Sequence, residues 1–489
     1  MRRNRGTPTI AIAGAGFGGI ALAVALKRAG IDSFTIYERA ADVGGVWRDN
    51  AYPGAACDVP SLLYSFSFAQ DYAWSASFAP QAEILAYLRL CVERFGLAPH
   101  IRFNSEIATA TFDERTGGWH IETANGEQID ADVFVSAVGL FNRPALPEIR
   151  GRDAFAGAQF HSARWNHACD LSGRRVAVVG TGASAVQIVP AIAPAVARLH
   201  VFQRTPQYVF PRSDPGLVGA NSWHEALVRR LKRLRIFLQF ENIIRRRGSE
   251  RLTRKGERAF RAYLESQVAD PALRARLTPT YPLGCKRVLQ SDDWYAALQR
   301  PNVELVDAPI VAFDRDGVRT GDGRNRPVDV VIYGTGFTPT DFLAPMRVTG
   351  RGGRDLNSAW RDGAEAYLGI AVTGFPNFFM LYGPNTNTAG SIVYMLESQA
   401  RYIVRCIKSL SRTGATFMDV REPVQRDYNE TVQRRIGATV LVHPNCHSYF
   451  RTASGRVTTQ WPGFMSEYRR RTREVRVQDY EFVRVSLHQ

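Results

Sequence analysis

Two glycine-rich motifs in one chain predict the fold class: an α/β protein with two Rossmann-like dinucleotide-binding domains and a helical insertion in the second. The first motif is Gly14-Ala-Gly16-Phe17-Gly18-Gly19 and the second is Gly180-Thr181-Gly182-Ala183-Ser184-Ala185. Each follows a short apolar run that reads as a buried strand and opens an apolar helix pattern, the context that gives a G-x-G-x-x-G its meaning. The spacing repeats too: 24 positions separate Gly14 from Glu38, and 24 separate Gly180 from Arg204. With 489 residues, 45% hydrophobic and 22% charged, the chain has material for roughly two to four domains, and a disordered or collagen-like chain is excluded.

The elements follow in order. Thr9 to Ala13 reads as the first strand, a helix runs from the glycine loop to about Ala29, and a second strand, Ser33 to Tyr37, ends at Glu38. Gly14 makes the tight turn, Gly16 admits a pyrophosphate, Gly19 lets helix and strand pack, and Glu38 is placed to accept from a ribose. The second copy has strands at Arg175 to Val179 and Leu199 to Phe202, and it ends in a cation, Arg204. An acid suits a free 2′-hydroxyl and an arginine suits a 2′-phosphate, so FAD is expected at the first site and NADPH at the second. Each copy closes with an acid, an apolar strand and a glycine, Asp132 to Gly139 and Asp329 to Gly336.

From first to last glycine the copies span 125 and 156 positions, and the surplus lies between Ser213 and about Pro279. That stretch is helix-patterned, with thirteen basic residues from Arg229 to Arg261 and an apolar side read as Ile236, Phe237, Leu238, Phe240, Ile243 and Ile244. It reads as a solvated helix face or a cover over the active site, with a weak membrane-surface association as the lesser alternative. A helix is expected from about Ile392 to Leu410, and no third dinucleotide motif occurs. The expected division is a FAD domain formed by 1–150 with 335–489, and an NADPH domain over 151–334 with its insertion at about 213–280.

The net charge of +16 permits an anionic partner, but no nucleic-acid motif accompanies it. No apolar run is long enough to span a membrane, and Arg2, Arg3 and Arg5 lead into a strand instead of a signal sequence. The six cysteines show no C-x-x-C and no metal spacing, so no metal, reduced thiols and a cytoplasmic location are expected.

Gly44-Gly45-Val46-Trp47, Tyr52-Pro53-Gly54 and Cys57-Asp58, together with Phe155-x-Gly157-x-x-x-His161-x-x-x-Trp165, resemble the fingerprints of type I Baeyer–Villiger monooxygenases. The resemblance runs from about Thr9 to Tyr468, and Thr459-Gln-Trp461-Pro462-Gly463-Phe464 with Glu467-Tyr468 resembles the 4-hydroxyacetophenone monooxygenase-like subgroup. It implies a cycle in which NADPH reduces FAD, O2 adds at the flavin C4a, and the peroxide inserts one oxygen atom beside a ketone carbonyl to give an ester or lactone. It places the catalytic arginine on Arg287, oriented by Asp58. It puts Gly45, Trp47, Asp58 and Tyr64 beside the flavin, with the first glycine loop and Glu38. Thr181, Ala183, Ser184, Gln187, Arg204, Thr205 and Lys286 then fall to NADPH, with Tyr449 near its nicotinamide. His161 belongs to the linker between the domains, either satisfied by backbone or acting directly.

Three departures from the family pattern stand out: Asn166 after the signature Trp165, Tyr449-Phe450 where Trp-Tyr is usual, and a short loop at Asn385 to Gly390. Two alternatives share these features, a flavin enzyme that oxidises nitrogen or sulfur and a catalytically silent FAD/NADP-binding redox sensor. Natural ketone and oligomeric state are not legible in the sequence.

Overall fold

The structure is a computed structural model that describes residues 7–212, 214, 216–217, 223–246 and 249–485. Arg2, Arg3, Arg5, Ser213 and Arg247 lie outside those residues. Two five-stranded sheets dominate, and every pairing in both is parallel. Their central strands are short, apolar and almost wholly buried, as strands covered on both faces must be.

The two sheets share one order. In the first, Phe378–Met380, Val133–Ser136, Ile10–Ala13, Phe34–Tyr37 and Ile101–Arg102 lie side by side. In the second, Ala158–His161, Val330–Tyr333, Arg175–Val179, Arg198–Phe202 and Val303–Val306 occupy the same places. An antiparallel meander accompanies each sheet, Ile107–Ala131 beside the first and Ile310–Pro327 beside the second. The predicted strands and helices appear with ends moved by at most about three residues, for instance Phe17–Arg28 and Ile392–Thr413, and Arg175–Val179 keeps both.

The long helix Ile392–Thr413 lies along Phe17–Arg28 in the first core, buried on the side that faces it. The stretch at 213–280 forms three helices, Trp223–Arg246, Glu250–Gln267 and Pro271–Leu277. They divide between the two cores: Ile236 and Ile244 join the first, whereas Phe260, Leu264 and Leu277 join the second. The predicted apolar side of the first of these helices divides as well. Ile236, Phe237, Phe240 and Ile244 turn inward, while Leu238 and Ile243 are 56% and 48% exposed. The cause is the helical repeat, because residues 236, 240 and 244 share one face and 238 lies across from them.

A candidate active site between two glycine loops

The glycines of both motifs do steric work. Gly14 has φ +104° and a Cβ there would lie 2.9 Å from the Ala137 carbonyl; a Cβ on Gly19 would lie 2.0 Å from that of Gly14. Gly16 faces Gly45, whose φ is +53°, so the loop Gly44-Gly45 lies against the dinucleotide loop with no side chain between them. Neither helix that follows a glycine loop has a side-chain cap, since Gly16 and Gly182 supply none. Each therefore presents first-turn N–H groups and the positive end of its dipole to an anion.

Around the first loop Gly14, Gly16, Phe17, Gly18, Glu38, Gly45 and Tyr64 line one cleft, closed further by Tyr382, Ile392 and Leu396. Trp47 stands behind it, donating from Nε1 to the Tyr64 hydroxyl at 3.0 Å. Glu38 is 3% exposed and accepts from the Ala15 N–H at 2.8 Å, the Ala40 N–H at 3.1 Å and Arg48 Nη1 at 2.8 Å. It fixes the glycine loop as well as facing the cleft. Arg48 and Tyr382 are among the residues of this region that sequence reasoning passed over; Arg48 directly follows the fingerprint Trp47, which was the available signal.

At the second loop a Cβ on Gly180 would lie 2.6 Å from the Gly334 carbonyl, and a Cβ on Gly182 meets open space. The Thr181 hydroxyl bonds the Thr205 carbonyl at 3.1 Å, which ties the loop to Arg204-Thr205. Lys286 lies 4.7 Å from the Tyr281 ring, and burial followed by the charge of Arg204 brings its ammonium down to about 8. A buried ammonium whose pKa is lowered by a neighbouring guanidinium is a ready anion site, because a bound anion would favour the charged form. Ser184 interacts with the Tyr52 hydroxyl, and the Gln187 amide is engaged within the chain. Its Oε1 accepts from Tyr52 Oη at 3.0 Å and its Nε2 donates to the Ala56 carbonyl at 2.9 Å, so both ends of the amide are engaged across the two sheets' territories. Gly54 permits that approach, because a Cβ there would lie 2.6 Å from the Gln187 carbonyl.

Between the two loops Arg287 meets Asp58. Nε donates to Oδ2 at 2.9 Å and Nη2 to Oδ1, a bidentate fork. Asp58 pushes the guanidinium pKa above its ordinary value, against the opposing effect of burial. The Arg287 side chain is nonetheless 44% exposed, so part of its fork remains open to a ligand. Tyr449 stands in electrostatic reach of both groups, with its ring 4.2 Å from Phe450.

The expectation of reduced thiols throughout is corrected here. Cys285 and Cys446 are disulfide-bonded, whereas Cys57, Cys91, Cys169 and Cys406 are free. The bond joins the segment of Lys286 and Arg287 to the segment of Tyr449, and a separation of 161 residues hid the pairing from any spacing rule. His161 is satisfied by backbone: Nδ1 accepts from the Ala163 N–H at 3.1 Å and Nε2 faces the Gly336 carbonyl at 3.0 Å. Burial lowers its pKa to about 4, so the ring is neutral at pH 7. In the short loop Asn385 donates to the Val457 and Gln460 carbonyls, each at 3.0 Å, and Asn387 accepts from Tyr382 Oη at 2.8 Å.

No helix among the described residues is long and apolar enough to cross a membrane. The family model described as flavin-binding monooxygenase-like matches residues 7–239. A Baeyer–Villiger monooxygenase of Streptomyces coelicolor is 44% identical over 97% of this chain and 92% of its own length. One of Pseudomonas aeruginosa is 40% identical over 98% and 92%. Among solved structures, an oxidised steroid monooxygenase bound to NADP superposes with a TM-score of 0.88 at 30% identity, covering 97% of this chain and 99% of that one. A closed cyclohexanone monooxygenase does so with 0.86 at 29%, with the same coverage. The chain belongs to the flavin-binding monooxygenase family, and within it stands with the Baeyer–Villiger monooxygenases.

Proposed function

We propose that this chain is a FAD- and NADPH-dependent Baeyer–Villiger monooxygenase acting on small-molecule ketones. The balanced reaction is ketone, O2, NADPH and a proton to ester or lactone, NADP⁺ and water. The single observation that carries the reading is the Asp58–Arg287 fork standing between two glycine loops. FAD fits the first cleft, because Gly16 and Gly45 leave a cradle that any Cβ would narrow, and NADPH fits the second loop beside Arg204 and Lys286. Bound FAD, once reduced by NADPH, supplies the activation of O2.

The chain's own residues then do the following. The uncapped helix starts at Phe17 and Ala183 hold the two pyrophosphates. Arg204 and Lys286 hold the 2′-phosphate. Asp58 aims Arg287, whose guanidinium stays charged at any working pH and stabilises negative charge as it develops on oxygen and on the attacked carbonyl. Tyr64, Tyr382 and Leu396 wall the adjoining cleft, so that a flavin seated there would be shielded from water on that side. His161, neutral and held by backbone, orients the strand Ala158–His161 and transfers no proton.

Residues 1–150 with 335–489 form the FAD domain in this reading, and 151–334 the NADPH domain. The resemblance of the segment from Thr459 to Tyr468 to the 4-hydroxyacetophenone monooxygenase-like subgroup supports aryl, terpenoid or steroid-like ketones as the substrates to test first. A cytoplasmic location suits the demand for NADPH.

The test incubates the holoenzyme with NADPH, isotopically heavy O2, an aryl ketone and, separately, an aryl sulfide. An ester carrying one heavy oxygen atom per NADPH consumed is expected. Sulfoxide with no ester from any ketone would move the chain to the heteroatom-oxidising enzymes. Reduction of FAD without any oxygenated product would leave only the redox-sensor reading.

A further inference from the structure

The first insertion helix, Trp223–Arg246, is fastened to the molecule by one side only. Inward, Ile236 and Ile244 are 3% and 7% exposed, and Phe237 packs its ring 5.0 Å from that of Tyr394. Arg233 donates to the Leu62 and Ser65 carbonyls, and Glu241 accepts from the Met465 N–H at 2.8 Å and from Ser466 Oγ. These contacts fix the helix's rotation, and so they fix what the other side presents.

That other side is a stripe of leucines. Leu227, Leu231, Leu234 and Leu238 are each 50–58% exposed, at spacings of four, three and four that set them in one line along the helix. Arg230 and Arg235 border the stripe and Arg245 follows at its end, all three exposed. Of the helix's two acids, Glu241 is turned to Met465 and Ser466, and Glu225 lies off the stripe by the helical repeat, whereas seven residues of the helix are basic. Leucines bordered by cations, with no acid among them, match an anionic lipid surface: acyl chains take the leucines and headgroups meet the arginines. A second copy of the chain is the poorer occupant, because pairing two such stripes would bring arginines against arginines.

We propose that this leucine stripe is a peripheral docking surface for anionic membranes, with the helix lying in the interface and not crossing it. The surface stands one helix away from the cleft lined by Ile392 and Leu396, since Phe237 rests on Tyr394 of that same helix. An apolar substrate partitioned into the bilayer would be delivered beside the site. Docking itself does not depend on which reaction the site performs.

The test is flotation of the holoenzyme with phosphatidylcholine vesicles, with and without phosphatidylglycerol. Binding to the anionic vesicles at low salt, little binding to neutral ones, and release as salt rises are expected. The double variant Leu231→Glu with Leu234→Glu should lose at least about tenfold in partitioning. Arg230→Gln with Arg235→Gln should weaken it less and flatten its salt dependence. Both variants should keep FAD content and turnover on a water-soluble ketone, which separates lost docking from lost folding. Absence of flotation for the unmodified enzyme, or unchanged flotation for the leucine variant, overturns the proposal. So does a dimer in lipid-free sedimentation that the leucine variant turns into a monomer, which would assign the stripe to a second copy.

Discussion

The two parallel sheets have the same strand order and carry opposite charges at the same place. Where the second strand of the first sheet ends stands Glu38, 3% exposed, its carboxylate held by two backbone N–H groups and Arg48. Just past the end of the corresponding strand of the other sheet, Arg198–Phe202, stands Arg204, exposed, close enough to Lys286 to depress its pKa. The backbone and the helix dipole are common to both and suit a pyrophosphate equally; in the proposed reading the side chain at the strand's end is what distinguishes the two riboses. The sheets also differ in where their outermost strand originates. Phe378–Met380 returns from far along the chain to the first, while Ala158–His161 reaches the second directly from the linker. The two units are thus interlocked by sequence as well as by contact, and Asp58 and Arg287 meet at the seam.

The seam is where the comparison breaks most sharply. Arg287→Ala removes a group that the proposed mechanism assigns to the developing negative charge and not to either nucleotide. FAD content and reduction by NADPH should persist, while ester formation falls by about 100-fold or more and NADPH oxidation yields hydrogen peroxide. Product analysis alongside a peroxide assay checks this, and retained ester formation would remove Arg287 from the mechanism.

Next in size is Arg204. The unmodified enzyme should prefer NADPH over NADH in kcat/KM by at least about tenfold, and Arg204→Ala should erase most of that preference by raising KM for NADPH alone. Steady-state kinetics with both donors decide it. Equal use of the two donors by the unmodified enzyme would mean that the charge difference between the copies has no consequence for the ligand.

A smaller effect of the same origin is pH dependence. Lys286 is lowered to about 8 in the structure, so its ammonium is present below that pH and is lost as pH rises through it. A bound phosphate opposes the loss by favouring the charged form. KM for NADPH should therefore climb a few-fold between roughly pH 7 and 9 while KM for NADH stays level. Lys286→Arg, which keeps its charge throughout, should flatten the rise.

Smallest is Tyr449, the departure from the family's Trp. Tyr449→Trp supplies a larger ring beside Arg287 and should tighten NADP⁺, lowering peroxide release per NADPH by about twofold or less. It should also reduce turnover of polycyclic ketones relative to small ones. An unchanged peroxide yield with an unchanged substrate profile would make the position one of packing alone.

Much of this was legible in the sequence because it depends on neighbours along the chain. A strand, a glycine loop and a helix are local, and so are the acid or arginine 24 residues on; periodicity and φ requirements write them directly into residue order. The resemblance of the fingerprints carried Asp58 and Arg287, residues 229 positions apart that no local rule would join. What the tertiary structure alone decided concerns pairs and directions. Gln187 spends its amide on Tyr52 and Ala56 because the two sheets approach there. Cys285 finds Cys446 because two distant segments converge on one core. The helix Trp223–Arg246 has apolar residues on two sides, and composition cannot tell which side is buried. That choice was made by Arg233 and Glu241 finding partners on the first unit, since a buried charge without a partner is costly and a leucine facing outward is not.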